Sequence, residues 1–228
     1  MTIPEYSSHW EEKFKSRPWG KYPSEDLVRF IFKNFINVGK TELSVLEIGC
    51  GTGANLWFLK KEGLSVSGID GSKEAIGIAS NRLKKEVSNS LSSNLINGDF
   101  SSLPWGDQSF DIVVDIFSLY ANKIDNIKST IEESKRVLKK DGYFFTKVWG
   151  TKTMGFNTGK KIEPGTFDNI KVGPCADMGL SHFFSKEELE EYFRGFKKLS
   201  IQTRLNYNNE DEVFSEELIG EFKKIEEN

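Results

Sequence analysis

The chain reads as an α/β protein built on a mostly parallel sheet with helices on both faces. Three observations predict this. Short apolar runs alternate with segments whose apolar residues recur at spacings of three and four; the run Val45-Leu46-Glu47-Ile48 passes directly into a glycine-rich turn; and successive runs lead into acids at Glu47, Asp70 and Asp99. Strand and helix in alternation is the pattern that lays crossover helices on both faces of a parallel sheet.

Taken in order, residues 6–15 predict a polar, aromatic-bearing helix, and the stretch 16–23, with Pro18, Gly20 and Pro23, breaks it. Ser24 is placed to cap a second helix whose Leu27, Phe30, Ile31, Phe35 and Ile36 form one apolar face. After the glycine turn, residues 55–61 make the first crossover helix. Residues 64–70 make the second strand, and residues 72–87 the second crossover, with Ala75, Ile76, Ala79 and Leu83 facing inward. A serine and asparagine loop at 88–93 leads to a strand at 94–97, and another strand begins at Phe110. Residues 123–139 predict a helix, Asp141-Gly142 a turn, and residues 143–149 a strand. Residues 150–181, rich in glycine, are too long for a simple connector and read as a lid or substrate wall. Ser185, with Glu187 and Glu188 behind it, opens a short helix. Strands near 199–206 and 217–224 finish the chain as a hairpin, with the acidic segment 208–217 leaving the register of the last strand open.

The turn carries the chemistry. Gly49, Gly51 and Gly53 stand at alternate positions around Cys50, where glycine admits positive φ and lets a ligand approach bare backbone, and the following helix offers free N–H groups. A dinucleotide fingerprint has its third glycine three positions after the second; here the gap is two, and Glu47 precedes the first glycine by two. A carboxylate there opposes a pyrophosphate but suits an ammonium or sulfonium charge. Asp70 follows about 23 residues later, and its two oxygens match the two hydroxyls of a ribose. Singly, each acid also reads as a cap or turn residue; together at strand ends they read as a ligand site.

The order Glu47-x-Gly49-x-Gly51-x-Gly53 between strand and helix resembles the first motif of the class I S-adenosylmethionine-dependent methyltransferases, small-molecule members in particular. The resemblance covers most of residues 24–225. It implies a Rossmann-like, doubly wound seven-stranded sheet whose last strand runs antiparallel, with a helical cap in 1–23 and the methyltransferase domain in 24–228. It implies S-adenosylmethionine as cofactor and S-adenosylhomocysteine as product. By the same resemblance Asp70 and Gly71 lie at the ribose, Asp99 at the adenine amino group, Phe100 against the ring, and the backbone at Ile116 beside the cofactor.

Catalysis is less legible. A sulfonium methyl is already electrophilic, so the protein's task is placement, and a base is needed only when the acceptor must lose a proton. Of the two histidines, His182 stands at the end of the presumed lid and is the candidate base or substrate contact, against a packing or capping role. Trp19 and Tyr22, with His9 and Trp10, are candidates to cover the acceptor, as is Tyr120 after the fourth strand; Arg17 is a candidate partner for the methionine carboxylate. Asp115 reads as a strand-end polar group before a base.

Composition narrows the partners. A formal charge of −3 and scattered lysine pairs supply no basic field for nucleic acid. Two cysteines, Cys50 and Cys175, make neither a disulfide framework nor a metal site, so no metal is expected and the reducing cytoplasm fits. No apolar run has signal-peptide or membrane-spanning length. The leading reading is methyl transfer to an oxygen, nitrogen or carbon atom of a small molecule. The alternatives are a protein or RNA acceptor, or a non-catalytic or NAD-binding member of the same architecture. The sequence is silent on oligomeric state.

Overall fold

The computed structural model describes residues 5–40, 42–87 and 93–225. The first half of the chain runs α1 (Glu5–Ser16), α2 (Glu25–Asn34), β1 (Ser44–Ile48), α3 (Ala54–Lys61), β2 (Ser65–Asp70), α4 (Lys73–Glu86), β3 (Ser93–Asn97) and β4 (Phe110–Ile116). There follow α5 (Ile124–Val137), β5 (Leu138–Trp149), the short strands β6 (Lys160–Glu163), β7 (Thr166–Asp168) and β8 (Ser181–His182), then α6 (Lys186–Tyr192), β9 (Phe196–Tyr207) and β10 (Val213–Lys224).

Seven strands stand in the order β3-β2-β1-β4-β5-β10-β9. The pairs from β3 through β5 are all parallel, and β10 inserts antiparallel between β5 and β9. The chain moves outward through β1, β2 and β3, then returns to β4 on the other side of β1. That reversal opens a crevice at the carboxyl ends of β1 and β4, the place where open α/β sheets bind ligands.

Both faces of the sheet are buried, and the pleat sorts their residues. Ile112, Val114 and Phe145 pack with α2 residues Leu27, Phe30 and Ile31 on one face. Val113, Phe144 and Val148 face the other layer, where Phe193 stacks on Phe222 at 4.1 Å. The mixed seven-stranded architecture expected from the resemblance is present.

Several local expectations need correction. Ser24 occupies the N-cap position of α2 without a side-chain bond; its backbone N–H donates to Asn55 Oδ1 at 2.9 Å instead, so α3 holds the start of α2. The Asp141-Gly142 turn is an irregularity inside β5, because α5 ends at Val137 and Leu138 already pairs with Phe110. The segment 150–181 is not plain loop: β6, β7 and β8 form a second, antiparallel sheet. Strands of four, three and two residues are too short to show a readable period. The acidic segment after Asn208 is a tight connection, with Asn208 Oδ1 accepting from the N–H groups of Glu210 and Glu212, and β10 starts at Val213. Its register is set by pairing Glu217 with Trp149 and Lys223 with Tyr143. Within the predicted loop 88–93, residues 88–92 lie outside the described residues.

Candidate functional site

Each glycine of the turn answers a different demand. Gly49 has φ +62, and a Cβ on it would stand 2.1 Å from Ser118 Oγ, so the turn after β4 lies directly on the turn after β1. Gly51 has φ +51 and donates its N–H to Asp70 Oδ2 at 2.8 Å, tying the tips of β1 and β2 together. Gly53 starts α3 at φ +77, where a Cβ would meet that of Ala79 at 2.9 Å; the third glycine lets α3 and α4 pack closely.

Three carboxyls are buried around this turn, each held differently. Glu47 is 2% exposed; Oε1 accepts from Asn55 Nδ2 at 2.6 Å while Oε2 has no partner among the described residues. Burial, with Asp70 and Asp115 adding to it, pushes its carboxyl up to about 8. Asp70 accepts from Gly51 and from the Ser72 N–H at 2.8 Å, and burial still raises it to about 6. Each of its oxygens retains a second lone pair facing the crevice. Asp115 is fully enclosed: Oδ1 accepts from the N–H groups of Ser118 and Leu119, Oδ2 from the Thr146 hydroxyl, and burial raises it to about 6. Asp115 is thus a clamp on the β4 turn.

That clamp sets Phe117 at φ +54, a conformation costly for a bulky residue. Phe117 stacks on Trp149 at 4.0 Å, with Lys147 Nζ 5.2 Å from its ring centroid. Lys147 is itself buried between Asp26 at 3.0 Å and Glu217 at 2.8 Å. The result is a rigid aromatic wall on one side of a cleft of about 80 Å³, lined also by Gly49, Asp70, Gly71, Phe100 and Asn122. Asn122, 1% exposed, donates to the Ser118 carbonyl and has Oδ1 without a partner among the described residues.

The cleft is roofed by α1. Trp10 and Phe14, four residues apart on one helix face, both line it. Glu11 fastens the roof: Oε2 accepts from Ser72 Oγ at 2.5 Å and from the Glu74 N–H at 3.1 Å. Ser72 in turn caps α4 by accepting from the Ala75 N–H.

A family model described as a methyltransferase domain matches residues 45–142, the span from β1 to the start of β5. Over these residues the chain is similar to methyltransferase domains. A demethylmenaquinone methyltransferase of Tropheryma whipplei is 38% identical over 98 residues, covering 43% of this chain and 38% of that protein; the match thus spans well under two thirds of the relative. Among solved structures, a SAM-dependent methyltransferase from Methanosarcina mazei superposes with a TM-score of 0.70 at 23% identity, over 84% of this chain and 97% of that one. The N-methyltransferase NodS of Bradyrhizobium japonicum, solved with S-adenosylhomocysteine, gives 0.68 at 16% identity, over 97% and 100%. At these identities the solved structures share the fold.

The methyltransferase motifs converge in part. Gly49, Asp70, Gly71 and Phe100 line the cleft, with Glu47, Gly51 and Gly53 in and behind the turn. Cys50 points the other way, its sulfur packed at Gly68 in the α2 layer, where burial pushes the thiol well up. Asp99 caps its own turn by accepting from the Ser101 N–H, and Ile116 packs into the same layer as Cys50; their neighbours Phe100 and Phe117 are the ones that line the cleft.

The candidate acceptor contacts fare less well. His182 is fully buried, with Nδ1 2.7 Å from Thr166 Oγ1 and Nε2 3.3 Å from Glu188 Oε2. Both ring nitrogens are spent joining β7, β8 and α6, which corrects its assignment as base or substrate contact. Tyr22 is 83% exposed and away from the cleft. Trp19 packs on Phe14 at 4.8 Å and so supports the roof from behind. Tyr120 is buried edge-on to Phe117 and Trp149, and burial holds its phenol protonated. Arg17 lies over Trp19 and donates to Met178 Sδ at 3.3 Å, linking α1 to the segment before β8. Phe14, Phe117, Ser118, Ala121 and Asn122 are the cleft residues that sequence reasoning missed. Only Phe14 carried a signal, its four-residue spacing from Trp10.

Among the described residues no helix is long and apolar enough to cross a membrane, and no cluster of His, Cys, Asp or Glu has metal-binding geometry.

Proposed function

We propose that this chain transfers a methyl group from S-adenosylmethionine to a small molecule by in-line displacement, releasing S-adenosylhomocysteine. One observation carries the reading: a buried carboxylate oxygen without a partner, Glu47 Oε2, sits beside Asp70 and a glycine turn that presents bare backbone. Buried polar atoms left unpaired are costly, so a cationic ligand is the natural complement.

The residues present fit the cofactor. Asp70 would accept from the ribose hydroxyls, Phe100 would flank the adenine with Asp99 near its amino group, and Glu47 with Asn122 Oδ1 would draw the ammonium. When bound, the cofactor supplies an electrophilic methyl on a sulfonium sulfur. The chain's own work is to orient and to exclude water: Trp10 and Phe14 roof the cleft, Phe117 walls it, and residues 150–181 act as the lid. Orientation in such a site is worth about 7–11 kcal/mol in favourable cases.

The N-terminal segment 1–23, with helix α1 (Glu5–Ser16) in it, serves as a cap on the catalytic body 24–228. A net charge of −3 and a covered cleft favour a small acceptor over RNA or protein. Two free, buried cysteines suit a reducing compartment such as the cytoplasm. Equilibrium dialysis with labelled S-adenosylmethionine, competed by S-adenosylhomocysteine and by NAD, tests the cofactor. Saturable binding that the homocysteine product displaces and NAD does not is the expected result; absence of saturable binding removes the proposal.

A further inference from the structure

Two hollows meet under α1. The cleft shares Trp10 and Ala121 with a larger, solvent-open recess of about 680 Å³. His9 enters it from α1, Lys123 and Asn126 from the start of α5, Asp168 from β7, and Met178 and Leu180 from the segment before β8. Its walls are tied to one another. Glu163 Oε1 accepts from the Ile124 N–H at 2.7 Å, joining the small sheet to α5, and Arg17 joins α1 to Met178. Gly179, at φ +77, closes on His9 so tightly that a Cβ would stand 3.2 Å from the imidazole Cδ2.

The chain has two histidines, and His182 is committed to Thr166 and Glu188. His9 Nε2 is buried at the edge of the recess with no partner among the described residues. Its ring meets Trp10 edge-on with centroids 6.4 Å apart, and Trp10 lines both hollows. An imidazole on the wall of the second chamber, next to the indole that this chamber shares with the cofactor cleft, stands where an acceptor would shed a proton.

We infer that this recess is the acceptor site and that His9 is the base that faces the acceptor, a flat, largely apolar molecule carrying a weakly acidic hydroxyl of the phenol kind. The inference rests on the methyl-transfer reading above. The indole of Trp10 with Met178 and Leu180 offers an apolar surface for a flat body, and Lys123, Asn126 and Asp168 offer a polar end. A neutral amine acceptor needs no base, whereas a hydroxyl must lose its proton, and a phenol gives it up to imidazole more readily than an aliphatic alcohol does. In the step, the acceptor oxygen bonds to the methyl carbon while the carbon–sulfur bond breaks and its electron pair stays on sulfur. The hydroxyl proton passes to His9 Nε2 and then to solvent. The step requires the Gly179 segment, which covers the His9 ring, to move enough to admit the acceptor hydroxyl to Nε2.

With only two histidines, isotope-labelled imidazole signals can be assigned by His182→Gln, and 2-naphthol, a flat phenol that stays protonated at neutral pH, serves as the acceptor probe. Calorimetry first measures S-adenosylhomocysteine binding to wild type and to His9→Gln; equal affinity is expected, and no binding to wild type would sink the cofactor reading rather than this one. With the product bound, 2-naphthol should then move the His9 signal and leave His182 in place. Labelled methyl transfer to the probe should fall by about 10²-fold in kcat in His9→Gln, within the range of a lost general base. An unmoved His9 signal, failure of the probe to bind the product-loaded protein, or transfer unchanged in His9→Gln would each overturn the inference.

Discussion

Ser118 Oγ donates to the carbonyl of Gly49 at 3.1 Å, and the same hydroxyl fills the space a Cβ on Gly49 would need. The turns after β1 and β4 are thereby a single unit, and the cleft between them is shaped by groups 69 residues apart in the chain. Asp115 and Thr146 hold the far side of that unit.

Gly49→Ala should accordingly cost more than backbone strain. The clash with Ser118 adds to a left-handed φ, for which a non-glycine residue costs about 1–2 kcal/mol. Gly39→Ala, at φ +76 with nothing within 4 Å, isolates the strain alone. Urea unfolding should show the Gly49 variant as the less stable by at least about 1 kcal/mol, with cofactor binding lost only there. Equal losses would mean that the two turns do not abut.

Proton uptake offers a second check. Glu47 at about 8 and Asp70 at about 6 hold protons more tightly than their ordinary values of 4.5 and 3.8. Their contribution to stability is therefore complete below those ordinary values. It is lost as pH rises, through about 6 for Asp70 and about 8 for Glu47. A cationic ligand prefers both groups ionised, so affinity for S-adenosylmethionine should rise across this window and binding should release protons. Calorimetry in buffers of different ionisation enthalpy measures that release, and Glu47→Gln should remove most of it between about pH 6 and about 8, where Asp70 is already largely ionised.

Asp70→Asn keeps the shape but halves the acceptor capacity that serves Gly51, Ser72 and the ribose. S-adenosylhomocysteine affinity should drop by about 10–100-fold, the equivalent of roughly 1.5–3 kcal/mol for a charge-assisted contact. A wild-type dissociation constant would remove Asp70 from the cofactor site.

His182→Gln tests the packing role that the hydrogen bonds to Thr166 and Glu188 define. Breaking a buried network of this kind costs about 1–3 kcal/mol. Denaturant unfolding should register that loss while S-adenosylhomocysteine affinity stays at the wild-type value. Unchanged stability combined with lost turnover would restore a catalytic role.

Glu11→Gln weakens the bond between α1 and Ser72. If that bond keeps the roof shut, release of S-adenosylhomocysteine should quicken by about fivefold, the factor for roughly 1 kcal/mol. Stopped-flow tryptophan fluorescence can follow it, since Trp10 lies on the moving face. An unaltered release rate would show that the cofactor leaves by another route.

The site was legible where the chemistry is local. Glu47, the three glycines and Asp70 could be read because a strand end, a bend requiring positive φ and an acid about 23 residues on are constraints written into short stretches. The hydrophobic face of α2 was readable for the same reason. Phe117 was not, because its left-handed backbone is imposed by Asp115 and by Thr146 on a different strand. Tyr22 and Trp19 looked like cover for the acceptor alongside Trp10, yet only the docking of α1 could single out Trp10 and add Phe14.

Residue order alone determined the alternating architecture, the central position of the glycine turn and the acidic character of the strand tips, since each follows from periodicity or from the φ range a single residue tolerates. Tertiary structure decided the small sheet in 160–182, the burial of His182 and the meeting of two hollows at Trp10. Those outcomes depend on side chains distant in sequence competing for the same space and the same hydrogen bonds, and no short window of the chain contains both competitors.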